Sequence, residues 1–216
     1  MKKLLVLLTL LGLILIPAIS TAAAVNVYLD SMGGQGNYEG KVLGNEMIDE
    51  DLALTFVGVE VCTEKWKVGL EHGWGEYADF DYRLNDLKLG YKIIETDNFK
   101  TDLTVSYVKI DDSDSIAGKV NGWSIGADLI YNFGDQLNAE LDLAYAVDGD
   151  SDDSFFTPVV DDVKVSSVKL KLNYLFTDNW GAYLGYRYRS VALKNDSLKL
   201  LEVTTSGAVL GINYRF

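Results

Sequence analysis

An all-β fold is predicted for this chain, a closed antiparallel barrel that crosses a membrane, and three observations predict it. Four short turns recur. Thr96-Asp97-Asn98-Phe99 and Thr177-Asp178-Asn179-Trp180 are near-copies, Thr63-Glu64-Lys65-Trp66 is looser, and Phe133-Gly134-Asp135-Gln136-Leu137 fills the same role. Asp and Asn bond their own backbone in turns, and an aromatic beside each turn suits a boundary that is half apolar and half wet. Each turn joins two stretches of about ten residues in which apolar and polar side chains alternate. The other connections are expected to be long and acidic, so short turns gather at one end and long loops at the other.

Residues 1–24 are expected to be a cleaved leader and 25–216 the barrel domain. Lys2 and Lys3 form a charged start, Leu4 to Ile16 is apolar, Pro17 breaks the run, and Ala22-Ala23-Ala24 supplies the small residues of a cleavage site. The apolar run is shorter than the ~20 residues of a membrane helix. With no later apolar helix, strands must do any membrane crossing. The single cysteine, Cys62, allows no intrachain disulfide. The formal charge of −13 opposes nucleic-acid binding, which needs a basic face. That acidity concentrates in Asp49-Glu50-Asp51, Asp111-Asp112-Ser113-Asp114 and Asp148 to Asp153, read here as loops.

Strand candidates fall at roughly 25–30, 52–62, 66–76, 84–94, 99–110, 120–133, 137–147, 163–176, 180–192 and 203–216, with period two and two unlike faces. In the sixth, Trp123, Ile125, Ala127, Leu129, Tyr131 and Phe133 oppose Ser124, Gly126, Asp128 and Asn132. In the seventh, Leu137, Ala139, Leu141, Leu143, Tyr145 and Val147 oppose Asn138, Glu140 and Asp142. The ninth sets Trp180, Ala182, Leu184, Tyr186 and Tyr188 against Gly181, Gly185, Arg187 and Arg189, and the last sets Leu210, Ile212, Tyr214 and Phe216 against Gly211, Asn213 and Arg215. Soluble sheets also alternate. A membrane is favoured by aromatics at the ends of the apolar rows and by Gly and full charges at mid-strand opposite them. Ten strands are expected, with eight as the alternative, because Ser31 to Gly44 reads either as strand or as loop.

The closing Gly211-Ile212-Asn213-Tyr214-Arg215-Phe216 resembles the C-terminal assembly signal of bacterial outer-membrane β-barrel proteins, carried by Gly211, Tyr214 and Phe216. Thr177 to Trp180, continuing through Gly185-Tyr186-Arg187-Tyr188, is similar to the penultimate hairpin of the small OmpA-like and OmpX-like barrels. The resemblance implies an outer-membrane location in a double-membraned bacterium and insertion by the barrel-assembly machinery. It also implies contact with outer-membrane lipid and lipopolysaccharide. The family includes adhesins, small channels, structural anchors and a few enzymes, so it leaves the task open.

An outward apolar row puts ionised side chains inside. Acidic residues expected there are Glu60, Glu71, Asp102, Asp128, Glu140 and Asp142. Basic ones are Lys67, Lys88, Lys92, Lys100, Lys169, Lys171, Arg187, Arg189 and Arg215. The sixth and seventh strands form an acidic wall, the eighth to tenth a basic one, and the two are expected to pair across the lumen. Side chains usually fill barrels of this size, so a plug of salt bridges is expected ahead of a conducting channel.

No catalytic, cofactor-binding or metal-ligating set is expected. His72, the one histidine, falls on the lipid-facing row near the outer rim and has only Thr55 as a hydroxyl neighbour. Asp148 to Asp153 lacks the Gly and Glu of a calcium loop. Gly33-Gly34-Gln35-Gly36 opens no helix and so makes no nucleotide loop. The expected function is non-enzymatic: a structural or surface-interaction barrel, expected to be a monomer, with at most weak porin-like conductance. The alternatives are a small-solute channel and, behind it, a lipid-modifying enzyme.

Overall fold

The computed structural model describes residues 24–39, 47–77, 80–112, 118–152, 162–195 and 198–216. The strands are β1 (Ala24–Glu39), β2 (Met47–Cys62), β3 (Trp66–Tyr77), β4 (Phe80–Glu95), β5 (Phe99–Asp112), β6 (Gly118–Asn132), β7 (Leu137–Asp152), β8 (Asp162–Leu175), β9 (Trp180–Asn195) and β10 (Leu198–Arg215). They form one closed antiparallel barrel in which each strand pairs with its sequence neighbours. The last strand closes on the first, with Val27 opposite Tyr214 and Asp30 opposite Gly211. The strand count is ten, as expected. The expected leader, residues 1–24, lies outside the described residues except for Ala24, which is already a ladder partner of Cys62.

The strands run further than expected. The Gly-rich run from Ser31 continues as β1 to Glu39, paired with β10 on one side and β2 on the other. All three acidic stretches read as loops also lie in the sheet, in whole or in part: Asp49 to Asp51 within β2, Asp111 and Asp112 at the end of β5, and Asp148 to Asp152 within β7. The connections at that end range from residues 78 and 79 between β3 and β4 to residues 153–161 between β7 and β8. The remaining residues of those stretches, Ser113, Asp114 and Asp153, lie outside the described residues.

Each Thr-x-x-aromatic turn is held by its threonine, where the sequence suggested its Asp or Asn. The Thr63 amide donates to the Trp66 carbonyl at 2.7 Å and the Trp66 amide donates back to Thr63 Oγ1 at 3.0 Å. Thr96 and Phe99 repeat the pair at 2.8 and 3.0 Å, and Thr177 and Trp180 at 3.3 and 2.8 Å. Asn179 instead reaches across to the next strand, donating from Nδ2 to the Arg215 carbonyl at 2.7 Å.

Along single strands the two faces exchange chemistry. In β4, Leu87, Leu89, Tyr91 and Ile93 point outward and are exposed, yet from the next position up the same row continues as Asn85, Arg83 and Asp81. The inward row of β4 runs Lys92, Lys88 and Asp86, then Leu84 and Tyr82. In β5 the outward row passes from Leu103, Val105 and Tyr107 to Lys109, and the inward row from Asp102, Thr104 and Ser106 to Val108 and Ile110. The half near the turns is therefore apolar outside and ionic inside. The other half is polar outside and aliphatic inside, as a soluble barrel would be. Met32, Leu54, Phe56, Leu84, Leu193 and Leu201, all fully buried, fill that second half.

Aromatics mark both edges of the apolar band. Trp66 and Tyr91, Tyr131 and Phe133, and Trp180 and Tyr214 are paired near the turns, whereas Tyr107 and Trp123 pair at the opposite edge. From Tyr131 to Trp123 along β6, at about 3.3 Å per residue and a tilt near 40°, the band is roughly 20 Å tall. His72 lies at its upper edge, stacked with Trp74 at 5.5 Å and hydrogen-bonded through Nδ1 to Asn85 Oδ1 at 3.0 Å.

Inward glycines make room for inward aromatics on the neighbouring strand. A Cβ on Gly73 would lie 2.5 Å from the Phe56 ring, and one on Gly211 would lie 2.4 Å from the Tyr183 ring. Phe56 is wedged in the aliphatic core and cannot swing aside. Gly73→Ala is expected to cost about 1–3 kcal/mol by overpacking. Urea unfolding in lipid vesicles, followed by tryptophan fluorescence, measures it; an unchanged midpoint would show that the ring is free to move.

Candidate functional site

The residues with chemical potential gather inside the barrel, in two layers beneath the aliphatic core. The upper layer centres on Glu71. It accepts from Arg187 Nη2 at 2.6 and 2.8 Å, from Lys169 Nζ at 3.2 Å and from the Tyr28 hydroxyl at 2.9 Å. Lys169 also reaches Asp30 at 3.3 Å, and the Tyr183 hydroxyl donates to the same Asp30 oxygen at 2.8 Å. Arg189 faces Asp86 at 3.7 Å. The Phe56 ring lies 3.8 Å from the Arg187 guanidinium carbon, so a cation–π contact joins this layer to the core above it.

The lower layer is a row of like charges bridged by lysines. Asp102, Asp128 and Asp142 are direct cross-strand neighbours on β5, β6 and β7. Adjacent carboxylates repel unless cations intervene. Lys67 from β3 bridges Asp102 (3.3 Å) and Asp128, and Lys88 from β4 bridges Asp128 (3.3 Å) and Asp142. Lys171 pairs with Glu140 at 2.5 Å. At the rim, Lys92 and Lys100 share Glu95 at 2.9 and 3.1 Å.

The acidic wall does not pair with the basic wall as the sequence suggested. Asp128 and Asp142 take cations from β3 and β4, whose lysines reach along the wall over the intervening strands. Lys169 and Arg187 are claimed by Glu71 and Asp30 from β3 and β1. Of the acidic wall, Glu140 meets a basic-wall partner, the adjacent Lys171. Asp30, Asp86, Tyr28 and Tyr183 were not singled out by the sequence reading. Asp86 shares its parity with Lys88 and Lys92, and Tyr183 shares its parity with Arg187 and stands opposite Gly211, so both signals were present. Arg215 and Glu60 face inward near the turns. Of the terminal motif, Tyr214 stacks edge-on with Phe216 at 4.7 Å, and the Phe216 amide donates to the Val25 carbonyl at 2.9 Å.

Below the lower layer is a cavity of about 470 Å³, opening between the short turns and lined by Glu60, Lys67, Asp128, Glu140, Lys171 and Arg215 among others. A second void of about 50 Å³ lies between the layers, beside Glu71, Asp86, Arg187 and Arg189. The large cavity ends blindly: the paired charges and then the aliphatic core stand between it and the far end of the barrel. Among the described residues no group of three His, Cys, Asp or Glu side chains is placed to hold a metal ion.

No protein-family model matches this chain, and no curated protein matches its sequence. Solved structures do resemble it. The outer membrane protease OmpT from Escherichia coli is 11% identical over 90% of this chain and 96% of that one, with a TM-score of 0.57. Neisserial surface protein A is 10% identical over 89% of this chain and 99% of that one, with a TM-score of 0.40. Ail, the attachment invasion locus protein of Yersinia pestis, is 12% identical over 90% and 99%, with a TM-score of 0.36. At such identities the likeness is one of fold.

Proposed function

On the premise that this chain has the fold of the bacterial outer-membrane β-barrels, we propose that it is a non-enzymatic outer-membrane protein with a structural or surface-interaction role. In this reading residues 1–24 are removed on export, the short turns face the periplasm, and the strand extensions stand above the membrane among lipopolysaccharide. The outer acidic positions, such as Asp51, Asp81, Asp148 and Asp150, are then presented to the exterior.

The aliphatic core over paired charges is the observation that carries the proposal. An ion entering from the turn side meets Lys67, Lys88 and three carboxylates already neutralising one another, then a dry layer around Phe56 and Leu84. A charge pays a large desolvation cost in such a layer. The non-enzymatic reading draws support from His72, which is on the lipid side and bonded to Asn85, away from every inward carboxylate.

Planar-bilayer recording on purified protein tests the reading. No sustained conductance steps are expected, and Arg187→Glu or Asp128→Lys should not create an ion preference. Stable steps whose selectivity follows those charge reversals would establish a small-solute channel instead.

A further inference from the structure

Inside the large cavity, three polar side chains of one row make no direct ion pair or side-chain hydrogen bond, although Glu60 acts through space on Lys67, Lys88 and Lys171. The inward lysines near Glu60 make their direct contacts with other carboxylates: Lys67 with Asp102 and Asp128, Lys88 with Asp128 and Asp142, Lys171 with Glu140. Among the described residues, Glu60 and Arg215 take part in no salt bridge and the Asn26 side chain in no hydrogen bond. These three are neighbours in one transverse row, since Asn26 is the ladder partner of Arg215 on one side and of Glu60 on the other. All three line the cavity. One wall therefore offers a guanidinium and a carboxylate without a direct ion-pair contact, and between them an amide that both donates and accepts.

We propose that this row binds a small amphoteric solute bearing a primary ammonium and a carboxylate, an amino acid or short peptide, entering from the turn side. Arg215 takes the carboxylate through its planar fork, Glu60 takes the ammonium, and Asn26 bonds the polar atoms between. At two strand spacings of about 4.8 Å, Arg215 and Glu60 start roughly 10 Å apart and converge by side-chain reach, which suits a dipeptide better than a single amino acid. The volume of about 470 Å³ falls in the range of small-molecule sites. The other deeper lining charges are ion-paired, and among the described residues Lys65, Asp97 and Asp135 of the short turns stand at the mouth without an ion pair. The site needs only the fold and this row, and it holds whether or not the barrel conducts.

Cys62 lines the same cavity and is half-buried, a native reporter of its occupancy. The test uses full-length protein folded in detergent, with L-alanyl-L-alanine as probe and N-acetyl-L-alanyl-L-alanine amide, which carries neither charge, as its control. Saturable binding of the first and none of the second is expected by equilibrium dialysis. Glu60→Gln and Arg215→Gln should each weaken it by about tenfold, the loss of one charge-assisted contact. Saturating dialanine should slow alkylation of wild-type Cys62 several-fold, a readout that needs no variant to fold. Absent binding to wild-type protein, equal binding of the uncharged control, or Cys62 alkylation indifferent to the dipeptide would each overturn the proposal. Alanine alone, run in parallel, sets the minimum ligand: weaker binding than dialanine fits the span of the row, and equal or tighter binding overturns the dipeptide preference.

Discussion

Replacing Arg187 by alanine is expected to destabilise the folded barrel by about 3–5 kcal/mol, the cost of leaving a buried charge without its partner. Arg187 is 5% exposed and supplies two of the hydrogen bonds to Glu71, which stays in the lumen with only Lys169 and Tyr28 when the guanidinium is gone. The Phe56 ring loses its cation as well. Adding Glu71→Leu to Arg187→Met should restore most of the loss, because both charges then leave together and apolar volume fills their place. Urea titration in lipid vesicles, read by tryptophan fluorescence, supplies both numbers. If the single and double variants lose the same stability, the pair is not the keystone of the upper layer.

Leu84→Ala is the second large effect, at about 2–5 kcal/mol, since no side chain above or below can collapse into the space it vacates. Leu84 is fully buried beside Phe56, and the inward Gly73 next to it offers no atoms to fill a gap. Leu87→Ala, three positions along the same strand, faces lipid and is expected to cost under about 2 kcal/mol, because acyl chains close around the smaller side chain without a cavity. Equal losses at the two positions would mean that the upper interior is wet or loosely filled.

The membrane half of the barrel was legible because there the alternation and the hydrophobic signal agree. Leu137 to Tyr145 and Trp180 to Tyr188 show an apolar row facing out and a charged row facing in, bounded by aromatics. The upper half was hidden by the same rule. Parity continues unbroken through Asn85 and Leu84, but the polar member now faces outward, so a scan for apolar outward rows stops there and reads the rest as loop. Ser31 to Glu39 was ambiguous for a related reason: its outward Gly33 and Gln35 carry no lipid signature, and only pairing with both neighbours makes it strand. Of the interior charges, which side chains point inward was readable, but which meets which was not. Lys67 and Lys88 reach past neighbouring strands to Asp128 because of barrel curvature and strand stagger, which a linear pattern does not encode.

The exchange of faces along each strand acts as a waterline. Sliding the barrel outward by two residues would lift Tyr107 and Trp123 clear of the interface, and sliding it inward would drag Arg83 and Lys109 into hydrocarbon. Each submerged cation costs up to about 2–4 kcal/mol depending on depth. Flotation height is thus fixed by the chain itself, and a host membrane of different thickness would have to deform around the protein instead of resetting it.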